Sequence, residues 1–149
     1  MKDVSAKSPT LRTAIAEAFL TMPDAIQTML RERQLEKGDA LEIARVAGAL
    51  AAKKTWDLIP FCHPLPLTHV AISYAFEAAG VRVQALVKTH AVTGVEMEAL
   101  TAVSISALTL YDMLKPHTHA MEIAYTRLLS KTGGKSGDYR YQPETAANA

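Results

Sequence analysis

The stretch VAISYAFEAAGVRVQALVK, residues 70–88, decides the fold class of this chain. Two runs rich in valine, alanine and aromatic residues, 70–76 and 81–88, flank the turn-forming pair Ala79 and Gly80. This is the pattern of a β-hairpin, which makes at least part of the sheet antiparallel. Because helical patterns lie on both sides of the hairpin in the chain, the sequence predicts an α+β fold with helices on one face of the sheet.

Two longer helices are predicted around the hairpin. Gly94 precedes the longer one, about residues 95–115, and Asp39 can cap the other by accepting hydrogen bonds from its first amides. Gly48 inside that second helix costs about 1 kcal/mol relative to alanine, which indicates close contact with a neighbouring element. The alternating stretch 11–22 fits a helix or a strand equally.

The length and composition of the chain are typical of one soluble globular domain. It has 149 residues, 49% hydrophobic and 21% charged, with a net charge of +1, so the total charge does not favour nucleic acid or an anionic membrane as a partner. The single cysteine, Cys62, cannot form an internal disulfide, and no apolar run reaches the ~18 residues of a membrane span. We expect a cytoplasmic protein with one domain over residues 1–140, in which 1–9 and 131–149 are flexible.

The proline-rich stretch LIPFCHPLPL, residues 58–67, is the first candidate site. Three prolines restrict the loop, so the side chains between them are positioned before any ligand binds. His63 at its centre can titrate near neutral pH or contact an anion, but it can equally be a packed histidine that only bonds a carbonyl. Its neighbour Cys62 is more typical of a small buried hydrophobic residue than of a nucleophile.

The long predicted helix carries charged residues at both ends. Glu96 and Glu98 lie in its first turn, where carboxylates either stabilise the helix dipole or accept hydrogen bonds from a ligand. Asp112 and Lys115 near its end form either a surface ion pair worth under ~1 kcal/mol or a pair suited to proton transfer. Glu98 and Asp112 are about 21 Å apart along the axis at ~1.5 Å per residue, so one small ligand reaches both only if two subunits share the site.

The glycine-rich stretch KTGGKSG, residues 131–137, is a candidate for anion binding. A Walker phosphate loop requires glycine at the position of Leu129, so that motif fails. What remains is a basic segment that either folds over an anionic ligand through its amides, Lys131 and Lys135, or is a frayed terminus. His117 and His119 lack a third ligand nearby in the sequence and do not predict a metal site.

Several long and specific motifs resemble those of one family. They are KKTWDLIPFCHPLPLTHV at 53–70, TGVEMEALTAVSISALTLYDMLK at 93–115 and KTGGKSGDY at 131–139, with shorter matches MKDVSAKS at 1–8 and KGD at 37–39. On these motifs the chain is identified as a member of the MoaC family, and the resemblance extends over roughly residues 1–140.

The resemblance implies a fold, a reaction and an assembly. The family fold is α+β and ferredoxin-like, with an antiparallel sheet and helices packed on it. Family members convert 3′,8-cyclo-7,8-dihydro-GTP, supplied by a radical SAM partner enzyme, into cyclic pyranopterin monophosphate and diphosphate during molybdenum cofactor (molybdopterin) biosynthesis. They require no metal or organic cofactor, and they form homohexamers, as trimers of dimers, with active sites at subunit interfaces.

The resemblance also assigns roles to single residues. It implies that Asp112, Lys115 and Lys37 are catalytic, with proton transfer on Asp112. The residues that it implies for substrate binding are Phe61, Cys62, His63, Glu96, Met97, Glu98, Lys131, Lys135 and Arg12. Phe61 departs from the smaller aliphatic residue expected at its position in the family loop.

Two other interpretations stay open beside the resemblance. A nucleotide-phosphate binding or hydrolysing protein would use the glycine-rich stretch, and the broken Walker spacing argues against it. A non-catalytic oligomeric scaffold would be a family member that has lost activity. The presence of Asp112, Lys115, Lys37 and His63 argues against the scaffold.

Overall fold

Four long strands and two long helices build residues 1–143, the part of the chain that the computed structural model describes. In chain order the elements are β1 (Thr10–Thr21), α1 (Asp24–Arg31), α2 (Ala40–Lys53), α3 (Thr55–Leu58), β2 (Leu67–Glu77), β3 (Gly80–Ala91), α4 (Glu96–Leu114), β4 (Glu122–Thr132) and β5 (Tyr139–Arg140). Two of these elements, β5 and the end of β4, fall in the stretch 131–149. The extent of the domain and the flexibility of its ends stay predictions, and 144–149 lie outside the described residues.

The sheet has β1 near its centre and is antiparallel throughout. Its strand order is β2-β3-β1-β4-β5, and each neighbouring pair runs antiparallel. A β-α-β-β-α-β succession with this order is the ferredoxin-like arrangement, here followed by the short β5. The α+β prediction and the hairpin prediction are confirmed, with Phe76 opposite Val81 near the turn.

The ambiguous stretch 11–22 forms β1, so its helical alternative is wrong. Ala14, Ala16, Ala18 and Leu20 alternate along the strand and are fully buried, because alternate residues of a strand point to the same face. The strand pairs with β3 on one side and β4 on the other, so both neighbours satisfy its backbone polar groups. This pairing is non-local, which is why the local pattern did not reveal it.

The helix α2 begins at the cap that the sequence predicts. Oδ1 of Asp39 accepts hydrogen bonds from the amides of Leu41 at 3.2 Å and Glu42 at 3.3 Å. A Cβ on Gly48 would stand 2.5 Å from Cδ1 of Ile72 and 2.8 Å from a carbonyl oxygen of α4. The predicted close contact at Gly48 is therefore confirmed, and it lets α2 pack tightly on both α4 and β2.

The helix α4 forms the middle of the core. Ala102, Val103, Ala107 and Leu110 are fully buried, and the helix packs on α2, β1, β3 and β4. By length and composition α4 could cross a membrane, but half of that stretch is buried inside the fold, as in the core helix of a folded domain. The predicted helix over 95–115 is confirmed, and its two ends lie about 27 Å apart.

Candidate active site

A cavity of about 840 Å³ lies at the N-terminal end of α4. Its wall consists of the N-terminal segment, the start of β1, the start of α4, and the end of β4 with the loop that follows (residues 133–138, the glycine loop). The charged residues that line it are Lys2, Lys7, Arg12, Glu96, Lys131 and Lys135. Five cations with one carboxylate give this cavity a positive lining that suits an anion.

Arg12 is a buried arginine in the wall of this cavity. It is 9% exposed, and its terminal nitrogens donate to the carbonyl oxygens of Gly133 and Val92, each at 3.3 Å. Both acceptors are uncharged, and Nε of Arg12 has no hydrogen-bond partner within residues 1–143. Because a buried charge without a counter-charge is costly, an anion in the cavity would gain a strong, charge-assisted contact here.

An ion pair connects the end of β4 to the first turn of α4. Nζ of Lys131 lies 3.2 Å from Oε1 of Glu96, and it also donates to Oγ of Ser136 at 3.1 Å. Both charged side chains are about a quarter exposed, so water weakens their attraction. Lys131 can therefore exchange Glu96 for an anionic ligand, while Lys135 lines the same cavity with an exposed side chain.

The proline-rich loop reaches the same end of the molecule through His63. Nε2 of His63 donates to the carbonyl oxygen of Lys2 at 2.9 Å. This hydrogen bond to a backbone carbonyl is the one expected if His63 is a packed histidine and not a ligand contact. It also joins the loop to the N-terminal segment that lines the cavity, so the imidazole lies beside the cavity wall.

Glu98 is a buried carboxyl group close to Cys62. It is 4% exposed, and burial, helped by the charge of Glu96, raises its pKa to about 7 despite a backbone hydrogen bond that acts in the opposite direction. Burial and then the charge of Glu98 raise the pKa of the Cys62 thiol, which disfavours the thiolate at neutral pH. Glu98, in contrast, can hold or release a proton near neutral pH.

The opposite end of α4 carries Asp112 and Lys115. Nζ of Lys115 donates to Oδ1 of Asp112 at 2.6 Å, and at least half of each side chain is exposed. The hydrogen bond and charge of Lys115, followed by the charge of Lys37, lower the pKa of Asp112. Asp112 and Lys115 line a shallow depression of about 500 Å³ together with Leu108 and Tyr111, and Lys37 adds a second positive charge near Asp112.

The predicted site residues thus fall into two groups that one chain does not bring together. Glu98 and Asp112 are fourteen positions apart on one continuous helix, about 21 Å along its axis. Arg12 lies with the first group, at the N-terminal end of α4. Phe61 and Met97 are 75% and 40% exposed. Within the described chain, the predicted site residues that line neither cavity are Lys37, Phe61, Cys62, His63, Met97 and Glu98.

Comparison with known proteins decides the family. The sequence model of the MoaC family matches residues 1–134. The chain belongs to the MoaC family. It is 54% identical over 140 residues to the cyclic pyranopterin monophosphate synthase of Deinococcus radiodurans, covering 94% of this chain and 83% of the relative. Proteins with the same name from Brevibacillus brevis (54% over 140 residues; 93% and 88% covered) and Nostoc sp. (55% over 141; 93% and 84%) are similarly close. The resemblance drawn from the motifs is confirmed.

Two lysines of this MoaC family cavity were missed by the sequence reasoning. Lys2 and Lys7 line it, although the sequence predicts a flexible segment over 1–9. The available signal was the motif MKDVSAKS itself, which carries both lysines and belongs to the resemblance. The bond from His63 that holds the backbone of Lys2 is non-local, and no local pattern reveals it.

The described residues of this MoaC family chain contain no cluster of side chains that could bind a metal ion. Among residues 1–143, no three histidine, cysteine, aspartate or glutamate side chains lie close enough to hold a metal ion. His117 and His119 lie in the turn and bend that follow α4. A reaction without metal or organic cofactor stays a prediction of the resemblance.

Proposed function

We propose that the protein is a cyclic pyranopterin monophosphate synthase. It is a lyase that converts (8S)-3′,8-cyclo-7,8-dihydroguanosine 5′-triphosphate into cyclic pyranopterin monophosphate and diphosphate, in the biosynthesis of the molybdenum cofactor. Membership of the MoaC family and the high identity to synthases of that name support this function. The structural observation that carries it is the cavity in which Arg12 and four lysines surround one space.

This cavity suits the triphosphate of the substrate. Arg12 offers a buried charge with neutral partners. Lys131 at the end of β4 and Lys135 in the glycine loop can move onto phosphate oxygens. His63 lies next to the N-terminal wall and adds a further donor. Positive groups around the leaving diphosphate stabilise the negative charge that develops as the bond to it breaks.

Glu98 suits the base end of the substrate. A guanine-derived ring presents N–H donors, and an ionised carboxylate is their natural acceptor. Because the pKa of Glu98 is about 7, N–H donors from a bound ligand would favour the ionised form. Met97, its half-exposed neighbour, can pack on the ring.

Asp112 suits proton transfer. Its lowered pKa keeps it ionised at neutral pH, so it can accept a proton as the ring of the substrate opens and reforms. Lys115 and Lys37 supply positive charge beside it, and either can return a proton or stabilise developing negative charge.

Exposed apolar residues support a site shared between subunits. Val46 and Leu50, one turn apart on α2, and Leu108 of α4 are 57%, 53% and 54% exposed, and exposed apolar surface of this kind is typical of subunit interfaces. We propose a homohexamer, a trimer of dimers, in which the N-terminal end of α4 from one subunit meets the C-terminal end from another. The proposed setting is the cytoplasm, with a radical SAM enzyme supplying the substrate.

Direct turnover tests the proposal. Purified protein is incubated with the cyclic GTP derivative, and pyranopterin and diphosphate are followed over time. Asp112→Asn keeps the size of the side chain but removes its charge, so we expect kcat to fall at least ~100-fold, the usual scale for a lost general base. Asp24→Asn is the matched control, because Asp24 is an exposed aspartate at the start of α1, outside both groups.

The outcomes separate function from residue roles. Parental rates from Asp24→Asn with little product from Asp112→Asn support both. Equal rates from the parent and Asp112→Asn keep the function but remove Asp112 from the chemistry. If the folded parent forms no product, the synthase proposal is wrong and the non-catalytic scaffold is favoured.

A further inference from the structure

The open face of the sheet, opposite the helices, holds a charged cluster outside both groups of the site. Glu17 on β1 is 2% exposed, on the other face from Ala16 and Ala18. Its Oε1 accepts a hydrogen bond from Nε of Arg127 at 2.8 Å and lies 2.6 Å from a second nitrogen of that guanidinium. Arg82 adds a longer ionic contact at 3.5 Å. A buried carboxylate with this two-pronged contact fixes the orientation of Arg127.

Arg127 in turn contacts a tyrosine beyond the glycine loop. Its third nitrogen donates to the hydroxyl of Tyr141 at 3.1 Å, and its guanidinium lies 4.5 Å from the centre of the same ring. A hydrogen bond and a cation–π contact thus join the two side chains. Arg127 lies on β4 and Tyr141 directly follows β5, so this contact spans the hairpin whose connection is the glycine loop.

The returning strand of that hairpin has few other contacts. β5 is two residues long and pairs with β4 at two positions, and the amide of Tyr141 adds one bond to the carbonyl oxygen of Leu129 at 2.7 Å. So short a strand has little stability of its own. Two hydrogen bonds also close the loop itself, from Lys131 to Oγ of Ser136 and from the amide of Gly133 to Oδ1 of Asp138. At the returning strand, the side chain of Tyr141 adds its contacts with Arg127 to the backbone bonds with β4.

We propose that Glu17, Arg127 and Tyr141 form a positioning network that holds the glycine loop over the cavity. Six of the residues that line the cavity, 131–136, belong to the end of β4 and this loop. An open hairpin would carry Lys135 away from the ligand, whereas Lys131 stays on β4, which pairs with β1. The three network residues do not line the cavity themselves. This inference rests on the proposed function for the identity of the ligand, whereas loop closure is measurable without turnover.

Three substitutions in the full-length chain isolate the contact. Tyr141→Ala removes both interactions with Arg127, and Tyr141→Phe removes the hydroxyl but keeps the ring. Tyr139→Ala is the matched control, because Tyr139 is a half-exposed tyrosine of β5 with no described contact to Arg127. Trypsin cleavage after Lys135 reports how often the loop opens, since a protease acts on the open form.

The cleavage rates give the first readout. We expect Tyr141→Ala to be cut after Lys135 about tenfold faster than the parent, with Tyr141→Phe in between. Tyr139→Ala should stay within about twofold of the parent, because surface substitutions outside such contacts have small effects. A parental cleavage rate for Tyr141→Ala would overturn the network.

Kinetics with the cyclic GTP derivative give the second readout. We expect Tyr141→Ala to raise KM about tenfold while kcat changes less than about twofold, because saturating substrate holds the loop closed and the cost of closing it is taken from the binding free energy. Faster cleavage with an unchanged KM would overturn the positioning role. If the parent forms no product at all, the proposed function fails while the cleavage rates still decide the network.

Discussion

Gly134 provides a sharp test of how Arg12 is held. Its φ is +87°, and the guanidinium of Arg12 occupies the place where a Cβ would stand. Gly137 in the same loop has a φ of +73°, but no heavy atom lies within 4 Å of its Cβ position. Gly134→Ala and Gly137→Ala therefore impose similar backbone strain, ~1–2 kcal/mol for a left-handed residue, and they differ in whether Arg12 must move.

The size of the difference follows from the contacts of Arg12. Moving the guanidinium away from residue 134 breaks its hydrogen bond to the carbonyl oxygen of Gly133. Hydrogen bonds of charged groups contribute about 1.5–3 kcal/mol, and the 3.3 Å length favours the lower value. An anion that binds Arg12 must then return the guanidinium to the position that this bond held, and about 1.5 kcal/mol of such a cost corresponds to roughly tenfold in affinity. We expect Gly134→Ala to weaken anion binding about tenfold and Gly137→Ala to stay within about twofold.

Calorimetric titration with inorganic triphosphate measures this affinity without relying on turnover. Thermal unfolding measures the stability of both variants separately. Both lose stability through the backbone strain that they share, and Gly134→Ala should lose about 1.5 kcal/mol more because it also breaks the hydrogen bond from Arg12. Affinities that are equal in the two variants, or a larger loss in Gly137→Ala, would refute the reasoning from the position of Arg12.

Three further predictions concern charge and assembly. Lys115→Ala removes the hydrogen bond that lowers the pKa of Asp112, so the acid limb of the kcat–pH profile should move to higher pH; an unmoved limb would assign it to another group. The pKa of Glu98 is about 7 in the folded protein and 4.5 for the free side chain. The folded state therefore holds the proton more tightly than the unfolded chain. This contribution to the free energy of unfolding is complete below about pH 4.5 and is lost as the pH rises through 7. Between about pH 5 and 8 the parent should therefore lose more stability than Glu98→Gln, by up to about 3 kcal/mol in chemical unfolding, and parallel curves would contradict this. Leu108→Glu puts a charge on the exposed apolar side of α4 and should give smaller particles in sedimentation with an unchanged circular dichroism spectrum; an unchanged sedimentation coefficient would exclude this side as an interface.

The elements that were predictable from the sequence are those whose causes are local. The Ala79 and Gly80 turn lies between two strand patterns, and Asp39 caps the amides that directly follow it. The stretch 11–22 was ambiguous because its alanines suit both a helix and a strand. Only pairing with β3 and β4, distant in the chain, decides it.

The candidate site also combines features that have local causes with features that depend on distant parts of the chain. The distance between Glu98 and Asp112 follows from the helix rise alone, so the sequence already separates the two groups. The backbone of Lys2 is held by a bond between residues 61 positions apart. The closeness of Lys37 to Asp112 likewise depends on how distant elements pack, and here the family motif provided what local patterns did not.

The two unlike ends of α4 have a consequence for mixtures of variants. An Asp112→Asn subunit is damaged at one end of the helix and intact at the other, and an Arg12→Ala subunit is the reverse. With a site shared between neighbouring subunits, each pure variant is inactive, but a mixed pair forms one site from two intact ends and one from two damaged ends. Random exchange of subunits between the two variants would restore about a quarter of the parental activity. Such complementation cannot arise in an enzyme whose site lies within one chain.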